Sequence, residues 1–440
     1  MEVARVAPWR TQKKTRAAAG NATLPEDLVL EILVRVADVA ALFRCAVACK
    51  RWLDLVSDAA FLGRRWPADS PSLIGFFARQ RRYRARARAA AAVPCPAAGA
   101  RRGPALVPAP GCPLGTARRS LGSFLSCAAG LLDDAVPLAS HDGLLLVRLA
   151  DAPADHVDAD ARLAVCNLIA GTCDVLPPLQ CSFAFRINSC AVLTFADGCR
   201  SAFFRVFVLV LDSDTLSYTL CAFSSTEPSW SAPTECFSSA EIGVVSGGAV
   251  VHRGTAHWLV TGTSNNLHTL EASDDVFLNE TPIPPAGDHD FILHRTPCVN
   301  VAAIDGALSL LRLCKDRLWL EVWARPDAET SGDGVAPEWL QTKAIQLKGP
   351  KNKDEIGEVQ CLCLDERSGA LFVEDTEERM YAVELETGEM DEVTDQFWRL
   401  KSQTAVPFQM DWLAFFKSRL GRNRRDGVTT HENSYTPISV

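Results

Sequence analysis

Between residues 143 and 373 one short pattern recurs: a glycine-led turn followed by a run of mostly apolar residues. It reads Gly143-Leu144-Leu145-Leu146-Val147, Gly254-Thr255-Ala256-His257-Trp258-Leu259-Val260, Gly306-Ala307-Leu308-Ser309-Leu310-Leu311 and Gly369-Ala370-Leu371-Phe372-Val373. A weaker copy begins at Gly198 and leads to Phe203-Phe204-Arg205-Val206-Phe207. Successive glycines lie roughly fifty to sixty residues apart, room for four strands and their turns, which is the spacing of propeller blades. The runs are short and bounded by Asp-Gly, Ser-Gly or Pro, so they read as strands. Further strands are expected at 162–167, 216–223, 317–324 and 379–385. A sixth unit is expected to close the ring by joining residues near 120–135 to the segment after Glu389, since an open ring leaves strand edges unpaired. A β-sandwich with extra strands is the competing architecture, and the period argues against it.

Residues 23–66 have a different texture. Thr23 and Glu26 have capping-box spacing, and Pro25 is placed for a first helical turn. Leu28, Ile32, Leu33 and Val36 then fall on one helical face. Asp38 is placed to cap a second helix bearing Leu42, Cys45, Ala46 and Cys49. Trp52, Leu53 and Val56 continue a third, and Ser57-Asp58 opens a turn carrying Phe61 and Leu62. So short a segment buries too little to stand alone, and its surplus of large apolar positions marks a docking face. The alternative is a bundle that packs only on its own chain.

These residues resemble the F-box. Leu24-Pro25-Glu26-Asp27-Leu28-Val29-Leu30-Glu31-Ile32-Leu33 matches that family's Leu-Pro opening and Glu-Ile-Leu helix. Leu42-Phe43-Arg44-Cys45-Ala46-Val47-Ala48-Cys49-Lys50-Arg51-Trp52 matches its Leu-x-Arg-Cys step and Cys-Lys-x-Trp close. Ala48 stands where Val is commoner, and Val36-Ala37-Asp38 where a Leu-Pro step is usual. The resemblance implies docking on a Skp-type adaptor through a set including Leu24, Pro25, Leu28, Ile32, Leu33, Leu42, Cys45, Val47 and Trp52. Which of these form the module's own core is not separable by sequence.

Residues 79–119 hold Arg79, Arg81, Arg82, Arg84, Arg86 and Arg88, an alanine run, Arg101, Arg102 and several prolines. A basic patch can bind nucleic acid, but Tyr83 is the only aromatic among these arginines, so a spacer is expected instead. The preceding Ser72-Leu73-Ile74-Gly75-Phe76-Phe77 resembles a segment that follows the F-box in plant members. The second module resembles the F-box-associated β-domains common in grasses. The matching pieces are Cys166-Asn167-Leu168-Ile169-Ala170-Gly171 leading to Leu176-Pro177-Pro178, Phe223-Ser224-Ser225 leading to Trp230, Gly254 through Trp258-Leu259, and Ala382 through Gly388. That family carries no catalytic residues to transfer, and its members are assigned as substrate receptors.

The net charge of −8 argues against a nucleic-acid or membrane partner in bulk. No apolar run approaches the roughly 20 residues a membrane helix needs. Met1 to Arg16 is basic without an apolar segment, so no secretory signal is expected. The sixteen cysteines are spread through apolar runs and read as reduced core residues of a cytosolic or nuclear protein. Cys361-x-Cys363 lacks a second pair at zinc spacing, so a RING finger is excluded, and strand alternation would put both thiols on one face. His141-Asp142 and His252 with His257 lack a nucleophile partner and read as satisfied turn or strand histidines. The acidic runs Asp354 to Glu358 and Glu374 to Glu378 read as solvated loops, with a rim for a basic substrate as the alternative.

The expectation is therefore an α+β multidomain chain: a disordered basic N-terminus (1–19), an F-box (20–66), an Arg/Ala-rich helix and linker (67–119), a propeller-like domain of about six blades (120–415) and a flexible tail (416–440). The resemblance to the F-box family implies a non-catalytic receptor of a Skp–cullin–F-box ubiquitin ligase. Its partners would be the Skp-type adaptor, through it a cullin, and a protein target, with no cofactor or metal. A propeller enzyme with a channel-mouth site, and a non-ubiquitinating scaffold, are the competing functions.

Overall fold

The computed structural model describes residues 24–36, 39–67, 72–78, 103–109, 112, 114, 117–125, 128, 130–150, 161–180, 185–196, 202–212, 215–238, 242–262, 267–273, 275–281, 298–304, 306–314, 318–326, 339–349, 359–365, 370–375, 379–393, 405–413, 415–417 and 420. The expectations placed on 1–19, Thr23, Asp38, the arginine and alanine stretch at 79–102, Gly198, the acidic run 354–358 and the tail beyond 420 lie outside these residues.

Four short helices come first: α1 (Glu26–Val34), α2 (Val39–Ala48), α3 (Lys50–Val56) and α4 (Ala59–Arg65). Cys49 is extended and breaks α2 from α3. Asp58 caps α4 by accepting from the Ala60 and Phe61 amides at 2.9 and 3.0 Å, satisfying two otherwise orphaned donors. At α1 the N-cap position is Pro25, with no side-chain cap. Proline has no donor to leave unpaired there.

Six four-stranded antiparallel sheets follow. The second blade comprises β4 (Val136–His141), β5 (Leu144–Arg148), β6 (Leu163–Asn167) and β7 (Thr172–Val175). The third comprises β8 (Phe185–Ala196), β9 (Ala202–Asp212), β10 (Ser217–Ser224) and β11 (Thr234–Ser238). The fourth comprises β12 (Ile242–His252), β13 (Thr255–Gly262), β14 (Leu267–Ala272) and β15 (Val276–Thr281). The fifth comprises β16 (Cys298–Ile304), β17 (Ala307–Cys314), β18 (Trp319–Ala324) and β19 (Leu340–Gln346). The sixth comprises β20 (Val359–Asp365), β21 (Ala370–Asp375), β22 (Met380–Glu384) and β23 (Met390–Glu392). The fold is a helical module followed by a six-bladed propeller.

The glycine period marks the hairpin between the first and second strands of these blades. Asp142 (φ 43°) with Gly143 (φ 77°), and Arg253 (φ 49°) with Gly254 (φ 76°), each put two successive residues at positive φ. That pairing is the type I′ turn, whose twist matches that of the flanking strands. Blades are tied to one another by indole bonds: Trp258 Nε1 donates to the buried Ser189 Oγ at 3.1 Å, and the half-buried Trp230 Nε1 to the Pro177 carbonyl at 2.8 Å.

The first blade joins the two ends of the propeller sequence. Its strands are β1 (Leu73–Ala78), β2 (Ala105–Pro108), β3 (Arg119–Ser120) and β24 (Ala405–Gln409), in the order β24-β1-β2-β3. The closure from beyond Glu389 is therefore present, but β24 pairs with 73–78, 105–108 follows, and of the expected 120–135 only Ser120 takes part, in β3. The expected linker 67–119 likewise contributes two strands. Leu73 to Ala78 is buried on both faces, and a strand buried on both faces reads as a continuous apolar run without alternation. The Ser72 hydroxyl donates to the buried Asp365 carboxylate at 2.6 Å, clasping the first blade to the sixth. Gln409 Nε2 donates to the Leu364 carbonyl at 3.2 Å across the same seam.

Other expectations are corrected. After β24 the chain is helical at 412–413 and 415–417, and Trp412, Phe416 and Leu420 are buried, so the tail is anchored at its start. Glu374 and Asp375 are buried strand residues, with Asp375 accepting from Arg379 Nε at 2.7 Å and from the Tyr381 hydroxyl at 3.0 Å. Asp375 is not solvated because these partners replace water. A bulge pairs Cys361 with Val373 and Cys363 with Phe372, which breaks the alternation that would align the two cysteines.

Candidate functional site

The helical module splits its apolar residues between two faces. Val29 and Leu33 of α1, Val39, Leu42, Phe43 and Ala46 of α2, and Leu53, Val56, Phe61, Leu62 and Trp66 join one buried cluster. That cluster continues into Ile74, Phe77 and Leu106 of the first blade and into Trp412, Phe416 and Leu420. The Trp66 ring stacks on Trp412 at 5.9 Å, and Phe416 lies 4.8 Å from Trp66 and 6.2 Å from Phe43. Module, first blade and C-terminal segment thus share one core.

The other face is open. Leu24, Leu28 and Ile32 are 52%, 52% and 55% exposed, and Val47 of α2 is 43% exposed. Positions four apart lie on one side of a helix, so Leu28 and Ile32 form one row of α1, with Leu24 exposed just ahead of the helix. Arg51 Nη2 donates to the Leu24 carbonyl at 2.7 Å and its Nε lies 3.7 Å from Glu26, which fixes the entry to α1. Arg65 Nη2 donates to the Val36 carbonyl at 3.2 Å, holding the segment after α1. Glu26, Asp27, Glu31, Arg35 and Arg44 are exposed around the row. An apolar centre with a charged rim is the anatomy of a protein-docking surface.

The sequence set therefore divides. Leu24, Pro25, Leu28, Ile32 and Val47 are exposed, while Cys45 and Trp52 are half-buried. Leu33 and Leu42, 1% and 0% exposed, belong to the core beneath and offer no surface to a partner. Helical spacing groups Leu33 with Leu28 and Ile32, but the buried row is Val29 and Leu33. Sequence reading missed Trp412, Phe416 and Leu420, although their spacing of four is a helical signal.

In the propeller, His257 is buried, with Nδ1 3.8 Å from Glu271 and no hydrogen-bond partner for that nitrogen. Arg325 pairs with the same Glu271 carboxylate. Burial pulls the His257 imidazole down to about 4, with His252 and Arg325 acting in the same direction and Glu271 opposing. This histidine is neutral and not fully satisfied, unlike the expectation. His141 Nε2 lies 3.2 Å from Asp142, and burial lowers its pKa against that carboxylate. Among the described residues no group of three or more His, Cys, Asp and Glu is arranged to hold a metal. No helix among them is long and apolar enough to cross a membrane.

A family described as a domain of unknown function, DUF7595, matches residues 115–394. The chain belongs to the DUF7595 family. The matched region takes in blades two to six of the DUF7595 propeller, while most of the closing first blade lies outside it. An F-box-like family matches 22–65, the helical module. Among solved structures, the GH93 α-L-arabinofuranosidase of Fusarium graminearum is 11% identical at a TM-score of 0.33, covering 58% of this chain and 79% of that one. The fucose-specific lectin from Aleuria aurantia is 12% identical at a TM-score of 0.33, covering 60% and 78%. Neither likeness assigns a function. No curated protein matches significantly. The DUF7595 chain is thus an F-box-like module on a six-bladed propeller.

Proposed function

We propose that this chain is a substrate receptor of a Skp–cullin–F-box ubiquitin ligase, itself non-catalytic, working in the cytoplasm or nucleus. The observation that carries the reading is the exposure of Leu24, Leu28 and Ile32, and of Val47 on α2, on a module whose other apolar residues are sealed against its own propeller. The Skp-type adaptor covers the row, with Pro25, Cys45 and Trp52 at its margin. Leu33 and Leu42 hold the row in place from below. The adaptor links the chain to a cullin and a ubiquitin-carrying enzyme, and the propeller holds a protein target. Catalysis in this arrangement is proximity: the shared core fixes the distance from docking row to propeller, raising the effective concentration of target lysines.

Co-purification of the intact chain with a Skp-type adaptor tests the reading. The wild type retains the adaptor, and Leu28→Asp with Ile32→Asp weakens retention about 100-fold or more, since charges replace buried anchors. Equal retention by both, or none by either, contradicts it. Turnover of a small-molecule substrate at the channel mouth, by a chain that ignores the adaptor, would instead establish the propeller-enzyme alternative. Accumulation of a bound partner when the chain is removed separates a degrading receptor from a scaffold.

A further inference from the structure

We propose that Cys166 and Cys173 form a peroxide-responsive disulfide site on the outer hairpin of the second blade. The two residues face each other directly in the antiparallel register of β6 and β7. The Cys166 thiol donates to Cys173 Sγ at 3.8 Å. Directly opposed residues in such a ladder have Cα atoms about 4.5–5.5 Å apart, inside the roughly 4.4–6.8 Å that a disulfide spans. The remaining closure is small, and β7 is the outermost strand of its sheet, so little packing resists it. The register is pinned from the turn: the Gly171 amide donates to the Asn167 carbonyl at 2.7 Å, and the Ala170 amide to Asn167 Oδ1 at 2.7 Å. Among the described residues no other cysteines are paired in strand register.

The pair is asymmetric in a way that suits stepwise oxidation. Cys166 is buried and Cys173 is partly exposed, so an oxidant reaches Cys173 first. The hydrogen bond from Cys166 holds the Cys173 thiol below its ordinary range, against burial and the neighbouring Asp174. Burial drives the other way elsewhere, pushing Cys236 up to about 11 and Cys190 up to about 12. The thiolate is the reactive form. With hydrogen peroxide as oxidant, the Cys173 thiolate attacks one oxygen, the O–O bond breaks, and after proton uptake a sulfenic acid and one water result. The Cys166 sulfur then attacks the Cys173 sulfur, the S–O bond breaks, and its thiol proton leaves with the hydroxyl as a second water. Two thiols are oxidised and one peroxide is reduced to two waters. The bond would form inside the apolar cluster that the second blade shares with the helical module.

The test treats the intact chain with hydrogen peroxide, blocks remaining thiols with iodoacetamide and digests with trypsin without reductant. The peptide spanning 163–186 contains Cys166, Cys173 and Cys181. The expected result is loss of two hydrogens with alkylation confined to Cys181. In Cys166→Ser, the sulfenic acid on Cys173 persists and is trapped by dimedone, at least tenfold above wild type. Alkylation of both Cys166 and Cys173 after the exposed Cys49 has oxidised would overturn the proposal. So would a sulfinic acid on wild-type Cys173 beside an unreacted Cys166. The wild-type peptide decides the matter without relying on any variant's folding.

Discussion

In α1, Val29 and Leu33 are buried while Leu28 and Ile32, one position earlier in each case, stand in solvent; in β1, every residue from Leu73 to Ala78 is buried. A helix carrying two interleaved apolar rows has one row to spare once the other is packed. A strand inside a closing blade is covered by sheets on both faces and spares nothing. The same apolar composition therefore means stability in one segment and an available surface in the other. What decides between them is which rows the propeller reaches, through Trp412 and Phe416 on one side of the module only.

The contrast is broken most severely by removing what the closing blade depends on. Ending the chain at Val393 deletes β24 and the segment to Leu420, leaving β1 with an unpaired edge. The expected outcome is loss of cooperative thermal unfolding and rapid limited proteolysis throughout the propeller. Next in size, Phe416→Ala removes the aromatic wedge between Trp66 and Phe43 and costs about 3–5 kcal/mol in urea denaturation.

The His257 site gives a pH-dependent effect of similar order. Its folded pKa, about 4, lies below the ordinary histidine value. The unfolded chain therefore binds a proton that the folded chain refuses between the two values, and stability falls as pH drops from about 6.5 towards 4. The loss approaches about 3 kcal/mol at the acid end, at ~1.4 kcal/mol per pH unit. His257→Gln should flatten this part of the stability–pH profile; an unchanged slope would reject the assignment.

Smaller still is Gly254→Ala. Among the described residues a Cβ there meets only Phe195 Cε1 at 3.6 Å, so the cost is that of holding an L-residue at positive φ, about 1–2 kcal/mol. Least of all, Leu28→Ala should change stability by no more than about 0.5 kcal/mol, whereas Leu33→Ala costs about 2–5 kcal/mol. Equal costs at the two leucines would erase the distinction between open row and core.

Much of this was legible in the sequence where local chemistry dictates conformation. The glycines at 143, 254 and 306 announce hairpins because the turn demands positive φ. The Leu-Pro opening and Cys-Lys-x-Trp close locate the helices. The split of α1 was not legible, since the row of Leu28 and Ile32 and the row of Val29 and Leu33 are equally apolar and only tertiary packing chooses between them. The first blade was hidden because its strands lie far apart in the chain, with an arginine-rich insert between β1 and β2. Cys166 and Cys173 read as unrelated core thiols until the hairpin register set them face to face.

The most direct measurement is hydroxyl-radical footprinting of the intact chain with and without a Skp-type adaptor, read residue by residue. The account predicts strong protection at Leu24, Leu28, Ile32 and Val47, with low and unchanged labelling at Leu33 and Leu42. Labelling of those four that ignores the adaptor, or protection confined to the propeller, would contradict it.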